Sequence, residues 1–178
     1  LTADTGNIAS TATVTANATV AATAGADASF AAAVLAGTTL TVDAGNDVTT
    51  GAAGNLTATA GALRVTADGS VELAASVTGD TVTVTADDDL VTLAGAPVTA
   101  DVGDVSLTAG EDTTIGAVVN AAANISLGAG QDMFVNAAVG DTDGDDVTLT
   151  ADTGSITTTA RVEGANEVTF LAGQNISL

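Results

Sequence analysis

The sequence contains no cysteine, no histidine, no tryptophan and no tyrosine, and it has three phenylalanines and one methionine. Without cysteine the chain can form no disulfide and can perform no thiol chemistry. Histidine is the most frequent general base of enzymes, and cysteine is one of their main nucleophiles, so two principal resources for catalysis are missing. The composition therefore predicts that the protein is not an enzyme.

Basic residues are nearly absent as well. Arg64 and Arg161 stand against 22 acidic residues, which gives a formal net charge of −20 at pH 7. Nucleic acids and anionic membranes are bound through Lys and Arg side chains that neutralise phosphates, so we expect neither partner. Cations are favoured instead. No apolar run approaches the ~18 residues of a membrane helix, and we expect no membrane insertion.

What the sequence does contain is a short phrase that recurs nine times. Each copy has an apolar residue, here called position 0, a second apolar residue at +2, a small residue at +4 and then a turn. Position 0 is occupied by Val20, Leu40, Leu63, Val82, Val105, Ile125, Val147 and Val168, and one further copy begins at its +2 residue, Leu1. Successive copies are about 21 residues apart, which is a typical period for a solenoid repeat.

Position +4 is alanine in every copy. The nine residues are Ala3, Ala24, Ala44, Ala67, Ala86, Ala109, Ala129, Ala151 and Ala172. An antiparallel β-sandwich also alternates short strands with turns. It gives no reason, however, for one residue type at one position of nine copies, whereas a translational repeat does. The alanine column therefore favours stacked, equivalent coils.

Three short strands fit into each repeat. Positions 0, +2 and +4 alternate, as in a strand with one buried face, and a second alternating pair follows at +8 and +10, as in Val71 and Leu73. A third apolar position, such as Val77, falls near +14. Three strands and three turns describe one coil of a triangular solenoid whose coils stack ~4.8 Å apart. The sequence predicts an all-β, right-handed, three-sided parallel β-helix of about eight coils.

Residues 1–178 are expected to form one such segment, and we expect it to belong to a longer repeat array or filament.

Aspartate recurs at position +7, directly after the first turn. The five copies that carry it have Asp27, Asp47, Asp89, Asp112 and Asp132. One interpretation is that each carboxylate accepts a hydrogen bond from backbone N–H groups of its own turn. The other is a ladder of carboxylates that a hard cation such as Ca²⁺ would bridge. Ser70, and Gly6 and Gly154 at +7 of the first and eighth copies, would interrupt such a ladder.

The longest variable turn is the candidate metal site. It carries Asp141, Asp143, Asp145 and Asp146 beside Gly144. Carboxylates at alternate positions can converge on Ca²⁺ where a glycine lets the chain turn sharply. An acidic loop exposed to solvent is the simpler interpretation, because no glutamate follows at the spacing of an EF-hand. We therefore expect no required cofactor, with Ca²⁺ at these four aspartates as the alternative.

Three phrases carry a resemblance to a known family. They are Val105 to Asp112, Ile125 to Asp132 and Val147 to Gly154. These segments resemble the degenerate repeats of filamentous-haemagglutinin-type bacterial adhesins and other large β-solenoid exoproteins, and the resemblance covers essentially the whole chain. It implies a right-handed parallel β-helix. It also implies an extracellular or cell-surface location and the role of an adhesin shaft.

Together these features predict a structural shaft of a secreted or cell-surface bacterial adhesin or extracellular filament. Open strand edges at the ends of the coils can template another strand, so end-to-end self-assembly is expected. The expected partners are further copies, packed head-to-tail or laterally, and glycans or proteins of host or neighbouring cells. The alternative is a calcium-dependent β-helix module that binds carbohydrates or cells.

Overall fold

The computed structural model describes residues 1–140 and 146–178. Within these residues the chain forms 24 strands, numbered β1 to β24 in chain order, and no helix. Accordingly, none of the described residues belongs to a helix that could cross a membrane. The strands form three parallel sheets, and neighbouring strands of a sheet come from successive coils. The protein is therefore a three-sided parallel β-solenoid of about eight coils, as the sequence predicts.

The first sheet is built from repeat positions 0 to +4. Its strands, in spatial order, are β1 (Thr2–Ala3), β4 (Val20–Ala24), β7 (Leu40–Ala44), β10 (Ala62–Ala67), β13 (Thr81–Ala86), β16 (Val105–Ala109), β19 (Ile125–Ala129), β21 (Asp146–Ala151) and β23 (Glu167–Ala172). Each strand pairs with the strand of the coil before and of the coil after, so the sheet runs along the whole solenoid.

The second and third sheets follow the same order. The second contains β2 (Ile8–Ser10), β5 (Ala28–Phe30), β8 (Val48–Thr50), β11 (Val71–Leu73), β14 (Leu90–Thr92), β17 (Thr113–Ile115), β20 (Met133–Val135), β22 (Ile156–Thr158) and β24 (Ile176–Ser177). The third contains β3 (Val14–Ala16), β6 (Val34–Ala36), β9 (Leu56–Ala58), β12 (Val77–Gly79), β15 (Val98–Ala100) and β18 (Val119–Ala121). Single parallel bridges at Val139 and Val162 continue the third sheet.

Three corners join the sheets. The first corner lies between the first-sheet and second-sheet strands of a coil, and the second corner lies between the second-sheet and third-sheet strands. The third corner leads from the third sheet to position 0 of the next coil. Because the strands are short and the corners turn sharply, the chain closes each parallel crossover without a helix.

The alanines of position +4 stand in one continuous file. Strand pairing places Ala3 beside Ala24 in the next coil, and the same register continues through every copy to Ala172. From Ala24 to Ala151 each of these alanines is buried. The predicted register is confirmed, and it places a small side chain at the inner edge of the first corner, where two sheets converge.

A single apolar core fills the interior of the solenoid. Inward residues of like shape stack on one another, as Val84, Leu107 and Leu127 do in the first sheet, and all three are fully buried. Residues such as Leu73 and Val98 supply the other two walls. Stacking of similar side chains fills the interior at regular intervals with few rotamer conflicts. Large aromatic residues are therefore not needed to build this core.

Threonine hydroxyls inside the core satisfy backbone groups at the second corner. The Oγ1 atom of buried Thr50 accepts a hydrogen bond from the Ala74 N–H of the next coil at 2.8 Å. Thr92 Oγ1 accepts from Gly116 N–H at 3.1 Å and from Ala117 N–H at 3.3 Å. A buried hydroxyl without a partner would be costly, so these bonds explain why threonine is tolerated in an aliphatic core.

Candidate metal site and the ladders of the corners

The predicted calcium loop is described only at its last residue. Asp141, Asp143 and Asp145 lie outside the described residues. Asp146 is exposed, begins β21 and pairs with Glu167 of the following coil. Within the described ranges no three or more carboxylates are grouped so that they could hold a metal ion. Calcium binding by these four aspartates therefore stays a prediction.

The residues that stand directly before the second-sheet strands form a continuous ladder at the first corner. Its members are Asn7, Asp27, Asp47, Ser70, Asp89, Asp112, Asp132 and Ser155, in successive coils. The side-chain oxygen of each member accepts a hydrogen bond from the backbone N–H of the next member, over distances from 2.7 to 3.5 Å. We call this set the first-corner ladder.

The backbone geometry of the corner explains why side chains are needed here. The N–H of Thr113, which opens a second-sheet strand, donates to the Asp132 carbonyl of the next coil at 3.0 Å. Asp132 has left the first sheet but has not entered the second, and its own N–H donates to Asp112 Oδ1 at 2.9 Å. A carboxylate is a strong acceptor for such an N–H group. The ladder thus provides acceptors for backbone N–H groups at the corner, where no strand of a sheet supplies them.

The ladder corrects one interpretation of the sequence, that each aspartate accepts N–H groups of its own turn, because the acceptor bonds lead to the neighbouring coil. Ser70, Gly6 and Gly154 were expected to interrupt a carboxylate ladder, and Asn7, Ser70 and Ser155 do leave those coils without a carboxylate. The hydrogen-bonded column nevertheless continues through these three residues. Gly6 and Gly154 themselves lie outside the column. In these two copies the turn is one residue longer, since Ile8 pairs with Ala28 and Ile156 pairs with Met133.

That additional residue moves the glycines away from the column and brings Asn7 and Ser155 into it. The physical reason is that the register of the second sheet is fixed by its buried apolar residues. The turn must adapt its length to them, and so counting residues from the alanine misplaces the ladder by one.

The same type of hydrogen bond, from a backbone N–H to a side-chain oxygen of the preceding coil, occurs at a few positions of the other two corners. At the third corner, the N–H of Asn124 donates to Asp104 Oδ1 at 2.9 Å, and the N–H of Asp146 donates to Asn124 Oδ1 at 3.2 Å. At the second corner, the N–H of Ser76 donates to Asn55 Oδ1 at 3.2 Å. Each of these residues stands directly before the first inward residue of a strand. This position, directly before a strand, was the signal that the sequence offered for these residues.

Neighbouring carboxylates of the first-corner ladder repel each other, and this repulsion has to be compared with the energy of the hydrogen bonds that they accept. Asp89, Asp112 and Asp132 lie in successive coils, ~4.8 Å apart along the axis. At such a distance two unit charges repel by about 1 kcal/mol in bulk water and by about 3.5 kcal/mol at the effective dielectric constant near a protein surface, and salt reduces this further. A hydrogen bond to a charged acceptor contributes about 1.5–3 kcal/mol. The bonds therefore offset most of the repulsion, and whether a cation bridges the ladder stays a prediction.

We expect Asp112→Ala to lower the free energy of unfolding by about 1–3 kcal/mol, because the half-buried N–H of Asp132 loses its acceptor. Asp112→Asn keeps an acceptor oxygen and removes two like-charge contacts, so its stability should stay within about 1 kcal/mol of the parent. Urea unfolding followed by circular dichroism measures both. Equal destabilisation by the two variants would show that the charge, and not the acceptor, matters at this position.

Comparison with protein-family models, with curated proteins and with solved structures finds no match to this chain. The architecture itself defines the class: the chain is a β-solenoid repeat protein. Among the described residues, most side-chain hydrogen bonds at the corners join one coil to the next, which is a structural use of side chains.

Proposed function

We propose that this chain is a structural shaft of an extracellular bacterial adhesin or filament. The observation that carries the proposal is the unbroken register of the first sheet, in which each strand from β1 to β23 pairs with those of its neighbouring coils. Such a rod extends by ~4.8 Å per coil, so this segment alone reaches roughly 40 Å. A shaft of this kind holds a distant binding region away from the surface that carries it.

The bonding pattern supports a mechanical role. Backbone hydrogen bonds of three sheets run parallel to the rod axis, and the ladders continue them through the corners. Bending the rod would stretch all the hydrogen bonds on its convex side at once. Each coil also buries its apolar face against the next, as repeat proteins require. Stiffness is thus distributed along the rod and does not depend on one large core.

The last coil offers a surface onto which a further coil can stack. Phe170 is partly buried against the core, and Ile176 is 47% exposed. Together with Val162 and Leu178, Phe170 lines an open cavity of about 490 Å³. On the sides of the first and second sheets this surface has the inward pattern of the covered coils, so we propose that another coil packs on it. Copies of the segment that meet in this way would assemble head-to-tail.

The location and partners belong to the same proposal. The resemblance of the repeat phrases to filamentous-haemagglutinin-type exoproteins supports an extracellular position at the bacterial cell surface, with glycans or proteins of other cells as distant partners. Antibody labelling of intact source cells tests this location. Labelling that appears only after the cells are permeabilised would contradict it.

Electron microscopy of the purified chain tests the shaft itself. We expect straight, unbranched rods whose lengths are multiples of roughly 40 Å, in the absence of calcium or glycan. Phe170→Asp places a charge on the stacking surface and should leave single, short particles. Leu171→Asp is the matched control, because the adjacent Leu171 points outward and is 55% exposed. This variant should still form rods.

The alternative function predicts a different outcome. A calcium-dependent binding module would stay as single particles, would melt at a higher temperature with millimolar Ca²⁺ and would bind on a glycan array. That combination of results would contradict the shaft proposal.

A further inference from the structure

Four asparagines of the chain stand in the acceptor motif for N-linked glycosylation, Asn-x-Ser/Thr. They are Asn17, Asn55, Asn124 and Asn175, followed two residues later by Thr19, Thr57, Ser126 and Ser177. In an exported protein this motif marks a surface loop that can receive a sugar. A glycosyltransferase has to reach both the amide and the hydroxyl of the motif, so the fold decides which of the four can be modified.

Three of the four motifs are built into the stack of coils. Their hydroxyl residues lie inside β9, β19 and β24, whose backbones pair with strands of neighbouring coils. Asn55 Oδ1 accepts a backbone N–H of the next coil, and Asn124 Nδ2 donates to Asp104 Oδ1 at 3.2 Å. Asn175 stands directly before β24, which is the place of the next member of the first-corner ladder. These three asparagines therefore have a structural explanation.

The motif at Asn17 is not used in this way. Asn17, Ala18 and Thr19 form the turn between β3 and β4, outside every strand, and all three residues are exposed. Asn17 stands three residues before β4 and so does not occupy a ladder position, and within the described residues its side chain has no hydrogen bond. Thr19 Oγ1 lies 3.3 Å from Thr38 Oγ1 of the next coil at an exposed place. Both groups of the motif therefore face solvent.

The surface around Asn17 leaves room for a sugar. In the first three coils the third corner consists of residues 17–19, 37–39 and 59–61, all of which are Asn, Ala, Gly or Thr. The acidic residues of this corner begin only at Asp80, in the fourth coil. A sugar on Asn17 can lie over these small residues without displacing a bulky side chain. It would also add a hydrophilic cover where the corner carries no charge.

We propose that Asn17 is a site of N-linked glycosylation. The donor is a sugar activated by a phosphate leaving group, and a glycosyltransferase that recognises the Thr19 hydroxyl catalyses the transfer. The Asn17 Nδ2 atom forms a bond to the anomeric carbon of the sugar, the bond from that carbon to the phosphate oxygen breaks, and Nδ2 releases one proton. The modification requires neither the shaft role nor the stacking of copies, because it depends only on access to this turn.

Mass spectrometry of the chain purified from its source cells tests the site. Proteolytic cleavage before Asp4 and Asp27 releases the peptide 4–26, which should carry the additional mass of a glycan. Thr19→Ser keeps the motif and should retain this mass, whereas Thr19→Ala and Asn17→Gln should lose it. Both positions are exposed, so the three variants should fold like the parent chain, as circular dichroism will show.

The motifs at Asn55 and Asn124 are the internal controls, and peptides that contain them should have their unmodified masses. A peptide 4–26 without additional mass would overturn the proposal. It would also be overturned by a glycan that persists in Thr19→Ala, since the motif would then not direct the transfer. Equal modification of Asn17, Asn55 and Asn124 would contradict it as well, because the position of the motif in the fold would then not decide the site.

Discussion

Replacement of Leu107 by alanine is expected to lower the free energy of unfolding by about 2–5 kcal/mol. The Leu107 side chain is fully buried and lies between Val84 and Leu127 of the adjoining coils. Its truncation would leave a cavity inside a narrow core, where two sheets are pinned by coils above and below and cannot collapse into the space. Urea unfolding monitored by circular dichroism gives the change in midpoint and slope.

Leu171→Ala is the matched control for this experiment. Leu171 belongs to the same sheet but points outward and is 55% exposed, so its replacement should change stability by less than about 0.5 kcal/mol. If both alanine variants were destabilised to the same extent, the assignment of the inward face would be wrong. A change in the slope of the Leu107→Ala transition would indicate that the repeats no longer unfold together.

Replacement of Gly130 by alanine should destabilise the protein by about 1–3 kcal/mol, as overpacking does. A Cβ atom at Gly130 would meet the backbone carbonyl oxygen of Gly110 in the preceding coil. Backbone cannot rotate away as a side chain can, so the two coils would have to separate at the first corner. Thermal melting with the same urea titration would measure this loss.

Gly6→Ala provides the comparison, because a Cβ atom at Gly6 would meet nothing within 4 Å. This substitution should be neutral or stabilising by about 0.4–1 kcal/mol through the reduced freedom of the unfolded chain. A Gly130→Ala variant as stable as Gly6→Ala would show that the coils stack less closely at the first corner than the structure indicates.

The stacking of the coils could be predicted because it depends on side chains that alternate in and out. Ala109 and its counterparts occupy one file, as the sequence indicates, and the apolar residues at positions 0 and +2 fix the first sheet around them. Hydrophobic periodicity encodes this level of structure directly. One column of identical residues was enough to choose the solenoid over a sandwich.

The partners of the corner side chains could not be predicted in the same way. Asp112 carries an acceptor that suits either its own turn or the next coil, and both are chemically reasonable. The choice depends on which backbone N–H groups the sheets leave unbonded, and that is a property of three-dimensional stacking. The position of Gly154 was misjudged for a related reason, since the length of a turn follows from the pairing of Ile156 with Met133.

Whether the candidate loop binds calcium could not be predicted from its composition. Asp141, Asp143 and Asp145 lie outside the described residues, and the described neighbour Asp146 uses its backbone N–H to bond Asn124. Negative charge alone is compatible with a solvated loop or with a bound cation. Only convergence of oxygen atoms separates the two, and spacing in sequence does not determine it.

The additional residue beside Gly6 and beside Gly154 has an implication for how such a protein can change. Each insertion is absorbed within its own bend, and the strands on either side keep their neighbours. The perimeter of a coil can therefore grow while the pairing of the strands stays unchanged. Peptides grafted into these bends would be displayed at regular intervals along a rigid support, and natural variation at the same places could create recognition loops without any cost to the stack beneath them.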